Sequence, residues 1–158
     1  MSLRLVSLLA LVPGLIGYLV NSLLSRTLSG PAWAFAATFY LQAPLTAAFC
    51  LWLGYRCARS HYPFPAALAA SQWANGLSFL LYLWQFHLCD DAGRSFFWAL
   101  LAQCPAGPLL FWAMRIVMPF SGGTWAQPET TIATALSLVF LAILFSLGFW
   151  WGRRKKTA

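Results

Sequence analysis

Five continuous apolar stretches, each about twenty residues long, constrain this 158-residue chain more tightly than any motif in it. A helix of that length crosses a hydrocarbon core of roughly 30 Å. Inside lipid the backbone has no water to bond, so a spanning segment must be a helix or part of a closed barrel. Barrel strands read as alternating segments of about ten residues, and these runs do not alternate. The sequence therefore predicts an all-α fold, a polytopic integral membrane helical bundle of five transmembrane helices. With hydrophobic residues at 61% and charged residues at 8%, no stretch is left to bury a separate soluble core. Residues 1–158 are read as one transmembrane domain in the cell membrane.

The expected helices are about 5–24, 33–55, 65–87, 95–118 and 130–151, followed by a basic tail over 152–158. Arg4 ahead of an apolar run resembles a signal peptide, but 5–24 exceeds the usual apolar region of 7–15 residues, so it is read as a retained helix. Trp33, Trp52, Trp98, Trp150 and Trp151 sit at segment ends, where an indole bridges tails and headgroups. Trp73 and Trp84 fall inside the third segment and either fill gaps between helices or line a pocket.

A net charge of +7 could suggest nucleic acid, but four of the ten basic residues are Arg153, Arg154, Lys155 and Lys156, directly after the last apolar run. That placement fits a cytoplasmic C-terminus held at anionic headgroups; no nucleic-acid partner is expected. If all five segments span, basic residues divide six to four in favour of the cytoplasmic side. If 95–118 is re-entrant instead, leaving four spans, they divide seven to three. Charge prefers the re-entrant alternative, and segment length prefers five spans.

Two segments carry a face that helical spacing exposes. Ser7, Ala10, Gly14, Gly17 and Asn21 share one side of the first, a small surface for close helix packing. Ser71, Asn75, Ser78, Tyr82 and Gln85 share one side of the third, with Gln72 beside them. A polar face in hydrocarbon needs a partner or a cavity, so the third helix is expected to be central and these residues are the candidate ligand-lining set. Bonding to neighbouring helices would account for the same face. Thr130, Thr134 and Ser137 form a shorter polar face, expected to pack between helices. Pro13, Pro44, Pro105 and Pro108 lie within apolar runs, and Pro105, Gly107 and Pro108 predict a helix break at mid-depth.

His87, Cys89, Asp90, Asp91 and Arg94 form the only cluster of reactive side chains, in a turn where solvated residues are ordinary. Cys50, Cys57, Cys89 and Cys104 show neither a C-x-x-C pair nor zinc-site spacing. No catalytic motif or phosphate-cradling loop is present, so no enzyme activity, catalytic residue, cofactor or metal is expected. The segment centres lack the ionisable groups a proton- or ion-coupled pump requires.

Pro31-Ala32-Trp33-Ala34-Phe35 at the second helix, with Gln72, Asn75 and Leu77 in the third, resembles the tryptophan-rich sensory (translocator) protein family, as do nine tryptophans and five helices. The family's Trp-Tyr pair and double proline before the second helix are missing, as is the tryptophan after the asparagine. The resemblance implies a five-helix bundle that binds porphyrin-like or lipid ligands. The functional expectation is a membrane binding or transport subunit for a small or amphipathic molecule. A non-catalytic structural or assembly subunit is the alternative. Expected partners are the bilayer, other membrane subunits or a second copy of the chain, and a small-molecule ligand.

Overall fold

The computed structural model describes residues 1–27, 36–60, 62–90, 93–121 and 127–157, with the side chains of 20–27, 38, 96, 100 and 155–157 excepted. Every regular element among them is helical. The α-helices are α1 (Leu3–Leu9), α2 (Val12–Thr27), α3 (Ala43–Ala58), α4 (Phe64–Leu83), α5 (Phe96–Gln103), α6 (Gly107–Val117) and α7 (Gln127–Thr157). Single π-helical turns cover Thr38–Gln42 and Trp84–Leu88, and a 3₁₀ turn covers Met118–Phe120.

Prolines set the interruptions, because each lacks the N–H that would bond four residues back. Pro13 cannot donate to Leu9, and the first apolar run splits into α1 and α2 just before it. Pro44 cannot donate to Tyr40, and the chain widens into a π turn immediately ahead. Pro105 and Pro108 deprive Leu101 and Cys104 of donors, and α5 separates from α6 there. Pro63 and Pro65 instead stand at the start of α4, where the missing donor costs nothing.

The packing is organised on α7, against which α3 lies most extensively. Glycines bring the two backbones together. A Cβ on Gly54 would lie 2.8 Å from Phe149 N, one on Gly148 would lie 2.8 Å from Leu51 Cα, and one on Gly152 would lie 2.7 Å from Tyr55 O. Gly148 and Gly152 are a G-x-x-x-G pair; across the interface Gly148 faces Leu51, and Gly152 faces Tyr55 and Ala58. Val6, Leu53, Cys57, Ala67, Phe145 and Phe149 form a core around this contact. Leu109, Ala43 and Leu141 form a second core, and Ala113, Val117 and Ala133 a third, between α6 and α7.

These contacts define two ends of the bundle. At one end Val6 packs with Ala58 and Phe149, and the Phe64 ring lies 5.2 Å from that of Phe149. At the other, His87 Nε2 is 2.8 Å from Thr131 Oγ1, and Val117 packs with Ala133. Helices α4 and α7 run between these ends in opposite senses. The α5–α6 segment does not. It starts beside Gln85, reaches Ser78 at Ala102, and then follows α7 back from Leu141 to Ala133. Its two ends lie at the same end of the bundle.

The segment over 95–118, read as one helix with a break at Pro105, Gly107 and Pro108, is two helices with a 70° bend between Gln103 and Gly107. The physical reason is the loss of two helical donors within four residues, at Pro105 and Pro108. The 5–24 helix is corrected to two elements, and the last helix is longer than 130–151. Gln127–Arg154 is long and apolar enough to cross a membrane, and Phe97–Phe120 qualifies only as a bent pair.

The close approach predicts that Gly148→Leu lowers thermal stability in detergent by about 2 kcal/mol or more, because the added side chain meets backbone that cannot move aside. Gly76→Ala is the control: a Cβ there meets nothing within 4 Å, so its Tm should hold or rise slightly.

Candidate functional site

Helix α4 turns its polar face inward. Ser71, Asn75, Ser78, Tyr82 and Gln85 recur at steps of four and three, and all are buried, Gln85 completely. Trp73, Leu77, Leu80 and Trp84 on the other side are exposed. The amides of Asn75 and Gln85 thus lie within the bundle.

The half of this face nearer the turn is hydrogen-bonded within the chain. Ser78 Oγ donates to Ala102 O at 2.5 Å, at the last turn of α5. Thr131 Oγ1 donates to Gln127 O at 2.9 Å, which leaves its lone pairs for Tyr82 OH at 3.5 Å and His87 Nε2 at 2.8 Å. Ser95 N donates to Gln85 Oε1 at 3.0 Å, and Arg94 Nε donates to Gln85 O at 3.1 Å. Gln127 Nε2 donates to Phe86 O. Tyr82 and Gln85 therefore join α4 to α7 and to the start of α5.

The other half is a local chain beside a void. Ser71 Oγ donates to Leu68 O, Gln72 Nε2 to Ser71 Oγ at 3.3 Å, and Asn75 Nδ2 to Gln72 Oε1. Against them lies a cavity of about 20 Å³, bounded by Ala10, Pro13, Gly14, Cys50 and Pro105. That is room for one water, which needs at least about 10–15 Å³.

A larger groove, about 200 Å³, lies between the α1–α2 junction, α4 and the α5–α6 break. Its walls are Ala10, Leu11, Gly14 and Leu15, then Trp73, Ala74, Leu77, Ser78 and Leu81, then Leu101, Cys104 and Pro105. Ser78 directs its hydrogen at Ala102 O, so the lining presents little polarity. Gly14 is needed here because a Cβ would lie 3.0 Å from Cys104 O.

The small-residue face of the first segment divides along its length. Ala10 and Gly14 share cavity walls with Ser71, Asn75 and Ser78, whereas Gly17 packs on Gln42 and Pro108. Ser7 is half-buried in α1. Asn21 is on α2, but its side chain lies outside the described residues. Pro105 borders the groove, and Gly107 and Pro108 border a separate cavity beside Gln42. His87 and Arg94 are engaged as above, while Asp91 lies outside the described residues. Among those described, no group of three His, Cys, Asp or Glu could hold a metal, and Cys50, Cys57, Cys89 and Cys104 are free thiols.

Sequence reasoning missed two features. The G-x-x-x-G spacing of Gly148 and Gly152 was a readable signal for close helix contact. Gln42, an amide within the second apolar run two residues before Pro44, was another.

No family model, curated protein or solved structure matches the chain. Of the residues that resemble the tryptophan-rich sensory family, 31–35 lie outside the described ones, and Gln72 and Asn75 bond to each other.

Replacing Gln85 by Leu should destabilise the fold by about 1–3 kcal/mol, because Ser95 N–H then loses its acceptor in a buried setting. Ser71→Ala, which removes only bonds within its own helix, should cost distinctly less. Thermal unfolding of both variants in the same detergent checks the ordering.

Proposed function

We propose that this chain is a multi-pass membrane protein that binds the apolar part of a small or amphipathic molecule in the groove at the α5–α6 break. The observation that carries the reading is the groove itself: about 200 Å³, nearly all apolar, opening beside the exposed Trp73 and Leu77. In lipid such an opening is reached laterally, so the fitting ligand class is a single acyl chain or a flat apolar solute. Small-molecule pockets are concave and mostly apolar in this way.

The membrane arrangement we infer is four crossing segments plus one re-entrant segment, rather than five crossings. Helix α5 is about 12 Å long and α6 about 16 Å at 1.5 Å per residue, each about half of a hydrocarbon core of roughly 30 Å. The charges agree: Arg4, Arg56, Arg59 and the tail Arg153 to Lys156 then fall on one side, and Arg26, Arg94 and Arg115 on the other. By the positive-inside rule the first side is cytoplasmic, with both termini in it.

The second reading is a structural or assembly subunit. It is favoured by the bonds of Ser78, Tyr82 and Gln85, which satisfy the polar face without any ligand.

A reporter active only outside the cell should be silent after Ala158 and active when inserted in the 90–94 turn. Silence at both positions would restore a crossing fourth segment. For the groove, delipidated protein titrated with lysophosphatidylcholine should retain one equivalent in native mass spectrometry. Leu101→Trp, which fills the groove from a partly exposed position, should lose it at unchanged Tm. Equal retention would favour the assembly reading.

A further inference from the structure

A second cavity shares Cys104 with the groove and lies between α2, the 38–42 turn and the start of α6. It measures about 190 Å³, and its walls include Gly17, Tyr18, Gln42, Gln103, Gly107 and Pro108. Both polar atoms of the Gln42 amide, Nε2 and Oε1, are shielded from solvent and have no hydrogen-bond partner. Gly17 makes this placement possible, because a Cβ there would overlap the amide. A buried amide left unpaired is destabilising and is uncommon in folded chains. The side chain borders the cavity with its amide against Gly17, so recognition of a solute requires the amide to rotate toward the lumen. Its π-helical turn is an element that recurs at functional sites.

We propose that this cavity is a second binding site, separate from the apolar groove, for a small uncharged solute with a hydrogen-bond donor beside an acceptor. Gln42 is the residue that reads it. A primary amide offers one N–H and one carbonyl side by side, so its complement is a carboxamide, a urea or a neutral carboxylic acid. Among the described residues no carboxylate, amine or guanidinium lines the cavity, so an ionic ligand would be buried there without compensation. The volume exceeds one water, whose share of the liquid is about 30 Å³, by several-fold.

The test uses the full chain in lipid nanodiscs with acetamide as probe and saturation-transfer NMR as readout, empty nanodiscs serving as blank. The acetamide methyl signal should be saturated by the wild type and reduced about tenfold by Gln42→Leu, the loss expected when a recognising amide is removed. Acetate should show no transfer. The Tm of Gln42→Leu without solute should equal or exceed that of the wild type, because the change removes an unpaired polar group. Should Gln42→Leu fail to fold, Gln42→Met, of nearly equal length, carries the same readout. Undiminished saturation in the folded variant overturns the proposal, as does equal transfer from acetate. A lowered Tm for Gln42→Met overturns it too, because the amide would then be structural. Lysophosphatidylcholine binding should survive in the same variants. Its loss with Gln42 would assign the amide to the groove and overturn a separate site, whereas its absence in the wild type bears only on the groove.

Discussion

The backbone contact between α3 and α7 is the constraint on which the rest of this bundle depends. Small residues let two apolar helices approach until backbone meets backbone, and such an association rests on close van der Waals contact and hydrogen bonds. Gly54, Gly148 and Gly152 supply it by leaving Leu51, Tyr55 and Phe145 backbone in direct apposition with the facing helix. Phe149 and Phe145 then project past the seam and gather Val6, Ala67 and Phe64 around it. At its other half α7 carries Ala133 and Leu141, and α6 lies along them. One long helix thus holds a close contact at one end and the returning segment at the other.

The α5–α6 break follows from this arrangement. Segment 95–118 has the length of a full crossing, yet two prolines within four residues each remove a backbone donor at its centre. Irregular backbone at depth is tolerated only where protein or a cavity surrounds it. Here Ser78 serves Ala102 O from α4, Gly14 lets the Cys104 carbonyl approach α2, and three cavities border the remaining faces. The break is stable because α2 and α4 present a glycine and a hydroxyl to it.

Much of the helical content was legible in the sequence, because long apolar runs permit little else and prolines mark where helices stop. The buried face of α4 was legible for the same reason: spacing alone puts Ser71 to Gln85 on one side. The return of the fourth segment was not. Length argued for a crossing, and only the contacts of Ala102 with Ser78 and of Val117 with Ala133 reveal the reversal. The count of basic residues pointed to a re-entrant segment as the alternative. Gln42 was overlooked because a single amide in an apolar run has no periodicity to expose it.

Polarity proved a guide to packing more than to space. Tyr82 and Gln85 were conspicuous in the sequence because an amide or phenol in hydrocarbon requires a partner. That same requirement ensures that neighbouring helices supply one, at Thr131 and Ser95. Open volume arises for a different reason, where a break holds backbones apart and side chains are too small to refill the gap. Ala10, Gly14, Ala74 and Gly17 are such residues, and the groove and the Gln42 cavity lie beside them. In a chain this apolar, binding volume follows from the smallest side chains opposite a proline, and a polar group marks a ligand only where the fold has left it unpaired.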